Sequence, residues 1–220
     1  MATENLTNFD LTDSDSDFTV TATRVSIDTM KSSAVSWLSD SYGVDHFGTA
    51  LTHQWDQITT LADAGSSLQG VWALTNTSGT LVDMDAGAEG VCLYNYSIYP
   101  TMYLQDLGGA SDWDTFVAAV STAYYITVIR SGTNGTNLQA TVRTGSHEGE
   151  VKDTLTVTIA SDKYEYLAAC FSWEHATSTA QMTGYSQNYD INEAAAGLIP
   201  RAKVSGGFGE DSPLLGGLVA

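Results

Sequence analysis

Basic side chains are scarce in this chain. Lysine and arginine together number 8, against 26 aspartates and glutamates, for a formal net charge of −18. So acidic a surface repels a phosphate backbone from every side, which excludes direct DNA or RNA binding. Its carboxylates stay available to calcium or to basic partners. Long apolar runs are missing as well: none approaches the ~20 residues a membrane span requires. The opening "MATENLTNFD" has no basic segment ahead of an apolar one, so neither membrane insertion nor a standard secretion leader is expected. Only two cysteines occur, Cys92 and Cys170, each inside an apolar, strand-like run. They read as buried small hydrophobes rather than a catalytic thiol, with one disulfide between them as the alternative. No C-x-x-C, G-x-S-x-G or P-loop motif is present, which removes the commonest redox, serine-nucleophile and phosphate-cradle signatures.

What is abundant points to β-structure. Hydrophobic residues make up 43% of the 220 positions, glycine has 20 copies and proline three. Threonine, serine, tyrosine and valine recur in alternating runs, the composition of pleated, half-buried strands. In "DTLTVTIAS" (153–161), Leu155, Val157 and Ile159 share one face, and Thr154, Thr156 and Thr158 the other. "FTVTATRVSI" (18–27) alternates too, with a phase slip at Arg24 and Val25 that predicts a bulge. Glycine opens "GVWALTN" (70–76) and "GVCLYNYSIY" (90–99), and "TMYLQDL" (101–107) follows Pro100. "AYYITVIRSG" and "TNLQATVRTG" flank "SGTNG", a hairpin turn built from residues tolerant of φ > 0. "KYEYLAACFSWE" (163–174) is apolar on both faces, as a central strand is, and "AQMTGYSQNYDI" (180–191) closes the series. No helix of ordinary length is expected; "DWDTFVAAVSTA" (112–123) suggests one short helical turn at most. About ten short strands separated by turns predict a two-sheet sandwich or barrel.

One stretch concentrates polar chemistry. "SYGVDHFGTALTHQWDQIT" (41–59) carries Asp45, His46, His53 and Asp56, and imidazole beside carboxylate is the material of metal and acid/base sites. The two histidines are seven apart, which suits neither one helical face nor a tight strand pair. "LTDSDSDF" (11–18) opens like a calcium loop with Asp13, Asp15 and Asp17. Such a loop needs Gly at its sixth position and Glu at its twelfth; Phe18 and Arg24 stand there. The expectation is no resident cofactor, with calcium at this turn or at Asp83 and Asp85 as the alternative.

The order of motifs resembles the concanavalin A-like lectin/glucanase jelly roll, and more narrowly the laminin-G-like modules of bacteriophage virion proteins. The likeness is carried by "FTVTATRVSIDTM", "SYGVDHFG", "VWALTN", "STAYYITVIRSGTNGTNLQATVRTG", "YEYLAACFSW" and "MTGYSQNYDI", over residues 9 to 192. It implies an all-β fold, a two-sheet antiparallel jelly-roll sandwich with an extended C-terminal arm. The divisions are an N-terminal segment 1–8, a jelly-roll domain 9–193 and an arm 194–220. In the resemblance "YGVDHFG" is a structural corner with Phe47 turned inward and Gly43 and Gly48 supplying unusual backbone angles. Glucanases of this fold carry E-x-D-x-x-E on one strand, a spacing that sets two carboxylates in a cleft. The nearest string here is "EGEVKD", with Glu148, Glu150 and Asp153, which reads as a charged hairpin tip. The chain is therefore expected not to be an enzyme.

The implied role is a non-enzymatic surface component of a phage virion, a capsid decoration or fibre part. Its expected partners are other virion proteins, in a homo- or hetero-oligomer, and its expected place is the virion surface. A glycan-binding adhesin is the first alternative, with host surface glycans as partners, and a divergent glycosidase the second. For glycan stacking the candidates are Trp37, Trp55, Trp113 and the tyrosines of "YNYSIYPTMY" (94–103), Trp113 foremost because its loop places it between acids. The arm holds six of the 20 glycines and two of the three prolines. Its apolar residues Leu198, Ile199, Val204, Phe208, Leu214, Leu215, Leu218 and Val219 cannot build a core of their own. They are expected to be covered by a neighbouring subunit.

Overall fold

Among the described residues, alternating side chains and short turns produce fourteen strands and little else. The computed structural model describes residues 3–193 apart from 64–66, 88, 97–98, 109–111, 133–134, 160–162 and 176–177. The arm, with Leu198, Ile199, Val204, Phe208, Leu214, Leu215, Leu218 and Val219, lies outside the described residues. In chain order, β1 (Asp10–Asp13), β2 (Phe18–Val20), β3 (Arg24–Lys31) and β4 (Ser36–Ser41) come first. β5 (Leu51–Ala62) and β6 (Leu68–Thr75) lead to a short helix, α1 (Leu81–Gly87). β7 (Gly90–Tyr96), β8 (Thr101–Asp106) and β9 (Trp113–Val117) form a meander. β10 (Tyr124–Ser131), β11 (Asn137–Thr144), β12 (Glu150–Thr158), β13 (Tyr166–Phe171) and β14 (Gln181–Glu193) complete the set.

These strands make two seven-stranded antiparallel sheets. The front sheet runs β1-β4-β13-β6-β7-β8-β9 and the back sheet β12-β11-β10-β5-β14-β3-β2. Runs such as β6 to β9 and β10 to β12 stay within one sheet, while β3 to β6 and β12 to β14 alternate between the two. The core between them is a single apolar cluster in which Trp55 stacks on Trp72 and on Tyr189, at ring separations of 5.9 Å. Leu6 belongs to this cluster, and Thr3 bridges Asp190, so residues 3–8 pack with the sandwich.

A second apolar cluster lies on the outer face of the front sheet. It forms because α1 covers that face, burying Leu81 and Met84 beside Ala73, Cys92 and Phe171. Each such side chain contributes about 1.5–3 kcal/mol when removed from water. Thr80 caps the helix: its hydroxyl accepts from the Asp83 N–H at 3.4 Å, while the Asp83 carboxylate accepts from the Thr80 N–H at 3.0 Å. Apolar material on both faces is why all eight residues of β6 are buried. Gly70 is obligatory there, since an added Cβ would meet the Phe171 ring at 2.3 Å.

Four sequence expectations need correcting. The phase slip in 18–27 is not a bulge but the turn of the β2–β3 hairpin, in which Thr21 N–H donates to Arg24 C=O at 2.8 Å. Residues 113–117, suggested as a helical turn, form edge strand β9. Helix α1 went unexpected: seven residues with one buried pair carry almost no periodic signal. At the corner Phe47 is fully buried and Gly43 has φ 101°, but the other left-handed residue is Asp45 at 63° rather than Gly48. Buried Arg130 ties this corner to the β10–β11 turn, donating to Gly48 C=O at 2.9 Å and Gly135 C=O at 2.8 Å.

Candidate functional site

The outer face of the front sheet holds a groove of about 350 Å³ beside α1. Its lining includes Leu68 of β6, Tyr94 and Tyr96 of β7, and Tyr103 and Gln105 of β8. Asp85 of α1 and Trp173, just past β13, line it too. Strand geometry explains the collection: β7 and β8 pair Tyr94 with Tyr103 directly across the ladder, and period two sends every second residue to the same face. The two rings stack 5.2 Å apart and nearly parallel. From Tyr103 the aromatic surface continues both ways, to Trp113 at 5.9 Å and to Tyr96 at 6.1 Å. Tyr96 in turn meets Trp173 edge-on at 5.6 Å.

Trp113 is positioned by its neighbours. Asp112 and Asp114, which flank it, turn toward the edge of the back sheet. Their carboxylates accept from the Thr158 N–H at 2.9 Å and the Thr156 N–H at 3.0 Å of β12. Charged acceptors thus satisfy edge amides that would otherwise stay open for pairing. Alternation then leaves the indole on the outer face, 58% exposed, opposite Gln105. The acids beside this tryptophan anchor its strand.

Polar groups in the groove are few. The Tyr94 hydroxyl donates to Gln105 Oε1 at 2.7 Å. Burial first, then the neighbouring Cys92 thiol, the Tyr103 and Tyr96 phenols and Asp85, pushes the Tyr94 hydroxyl far up, so it remains a neutral donor. The Gln105 amide, oriented by that bond, presents donors suited to a hydroxylated ligand.

The other candidate residues are dispersed. His53 and Asp56 lie on one strand three positions apart, so they face opposite sides of the back sheet. His53 is buried between the sheets, where its Nδ1 accepts from Trp72 Nε1 at 3.1 Å. Burial holds its pKa down at about 3, which keeps the ring neutral. Asp56 faces outward and accepts from Asn188 Nδ2 at 2.8 Å and Gln187 Nε2 at 3.3 Å, with His147 Nε2 at 3.1 Å. Burial works to raise its carboxyl, and these bonds outweigh burial and lower it. His46 packs on Tyr42 and Phe47, while Asp45 faces Lys163 at 3.3 Å.

At the aspartate-rich turn, Asp13 accepts from the N–H groups of Asp17 and Phe18 at 2.7 and 3.0 Å. Asp17 is buried, and desolvation raises its carboxyl despite a bond from the Ser36 hydroxyl. Asp83 is the helix-cap partner described above. Among the described residues no group of three or more His, Cys, Asp or Glu side chains has the arrangement of a metal site. Glu150 lies on exposed edge strand β12 and pairs with Lys152 at 2.7 Å; Glu148 sits in the turn before it. The cysteines are both free and buried, in different clusters, and burial pushes both thiols up.

Of the aromatic candidates, Tyr94, Tyr96 and Tyr103 line the groove, Trp113 extends the aromatic surface beyond it through Tyr103, and Trp37 is half-buried against the same cluster. Trp55 is entirely inside the sandwich. Trp173 escaped sequence reasoning, and Asp85 was considered there only as a calcium ligand. The serine–tryptophan end of "YLAACFSW" marked a strand, but nothing local placed its tryptophan beside residues 94–113.

No protein-family model matches the sequence, and no curated protein does. Solved structures do match in shape. The Ca2+/Man-bound exoplasmic/lumenal domain of VIP36 superposes with a TM-score of 0.52 and 9% identity, over 86% of this chain and 85% of that one. The fold is concanavalin A-like. A legume lectin-like domain from Entamoeba histolytica agrees at a TM-score of 0.51 and 12% identity, over 83% of this chain and 89% of its own. A functionally unknown protein from Saccharomyces cerevisiae reaches 0.55 at 11% identity, over 86% and 97%. The comparison also overturns one expectation. Two alginate lyases, one of them in polysaccharide lyase family 7, share the jelly roll at TM-scores of 0.49. The inference that this chain is not an enzyme is withdrawn: one fold hosts both binding and catalysis.

Proposed function

We propose that this concanavalin A-like module binds glycans in the front-sheet groove. The reading is carried by the continuous row Trp113–Tyr103–Tyr96–Trp173, with one exposed indole at its end. A sugar ring has apolar C–H faces and a polar hydroxyl rim. Aromatic walls with a few fixed polar groups, here Gln105, Tyr94 and Asp85, suit that surface. Lectin-like neighbours of the fold favour the same reading by analogy. The setting we propose is a phage particle, where arm 194–220 ties the module to neighbouring subunits. That part rests on the sequence resemblance and on the arm's apolar, glycine-rich composition.

A glycan array followed by calorimetry tests the binding reading. Trp113→Ala should weaken the best ligand by about 1 kcal/mol or more, roughly fivefold. Its melting temperature should stay near that of the parent, because the indole is mostly exposed. Binding that is indifferent to both Trp113→Ala and Tyr103→Ala would place the ligand elsewhere. Cross-linking within intact particles tests the setting, with contacts from residues 194–220 to another subunit expected.

A further inference from the structure

The charge of the front sheet narrows the ligand class, given the glycan-binding reading on which this step rests. Its seven strands contain no lysine, arginine or histidine. Their charged residues are Asp10, Asp13, Asp40, Asp106 and Asp114. Helix α1 adds Asp83 and Asp85, and Asp85 lines the groove itself.

The cations among the described residues are held elsewhere. Arg24 lies over the Tyr185 ring, and Lys31, Arg143 and Lys152 belong to back-sheet strands. Arg130 is buried under the corner, and Lys163 faces Asp45. His175 adjoins the groove lining: its ring packs against Trp173 at 4.5 Å and its Nδ1 accepts from the Ser178 N–H at 3.2 Å.

We infer that the groove takes uncharged saccharides and rejects glycans bearing carboxylate or sulfate. A carboxylate laid on Tyr103 and Trp113 would lose water without gaining a cation from the described residues, the costly case for any buried charge. It would also sit in the field of Asp85 and of a chain with net charge −18, a repulsion that low salt strengthens. Uncharged hydroxyls meet no such penalty, and Asp85 and Gln105 can bond them directly.

The test pairs ligands that differ only in charge: glucan, mannan and galactan oligosaccharides against the corresponding C6-oxidised uronates, titrated calorimetrically into the full chain. At least one neutral oligosaccharide should bind roughly tenfold or more tightly than its uronate at low salt. That gap should narrow as salt rises and in Asp85→Asn, a substitution at an exposed helix position. A uronate that binds as tightly as its neutral partner would overturn the charge rule while leaving glycan binding intact. Failure of every neutral and oxidised oligosaccharide to bind would instead remove the glycan reading, and the charge rule with it.

Discussion

Lowering the pH should unfold this protein partly through one histidine. His53 is fully buried, its pKa falls to about 3 from an ordinary value of 6.5, and it holds the Trp72 indole N–H on Nδ1. The unfolded chain binds the proton first, so the histidine's contribution is complete above about pH 6.5. It declines as pH falls toward 3. Each pH unit in that window removes about 1.4 kcal/mol, so near pH 4.5 the loss is about 2.7 kcal/mol. Protonation would also turn an N–H on Nδ1 against the indole donor. The assay is urea unfolding at several pH values between about 7 and 4.5, on the parent and on His53→Gln. Glutamine keeps an acceptor for Trp72 and cannot be protonated in this range. Asp17, which favours the fold as pH falls, and Asp56, which does the opposite, titrate in both proteins and cancel in the difference. The variant should lose less stability on acidification, by about 2–3 kcal/mol at the acid end. Parallel pH profiles would show that His53 does not stay neutral in the folded protein.

Other perturbations follow from the packing. Gly70→Ala forces a methyl into the Phe171 ring at 2.3 Å and should cost about 1–3 kcal/mol, while Gly48→Ala, with no atom within 4 Å, should leave the melting temperature nearly unchanged. Asp114→Ala releases the Thr156 N–H and should cost about 1 kcal/mol by urea unfolding. It should also weaken glycan binding by loosening the strand under Trp113. Deleting residues 197–220 should leave a folded sandwich with a nearly unchanged thermal midpoint and abolish assembly with a partner; a truncated chain that unfolds would make the arm part of the core.

The class of fold was legible because strand signals are local. Leu155, Val157 and Ile159 alternate with threonines whatever happens elsewhere, and the glycines of "SGTNG" mark their turn from its own few residues, with φ of 92° at Gly132 and 65° at Gly135. Local signals also misled. A hairpin turn at residues 21–23 and a bulge give the same phase slip, and only the pairing of Phe18 with Ile27 distinguishes them. His53 and Asp56 look like one cluster in the chain, but the strand that joins them sends one into the core and the other to solvent. The reverse holds in the groove. Trp113 was visible as an aromatic between acids, and the tyrosines of 94–103 as a cluster, but their union with Trp173 was not. That union depends on β13 lying beside β6, and β6 beside β7, a sheet order that links residues some 70 positions apart. The sequence by itself determined the strand repeats, the acidity and the shortage of cations, which depend on composition and on neighbours two residues away. The tertiary structure decided which face each strand presents and which distant rings share it, because strand order is set by burial of the whole sandwich rather than by any one segment.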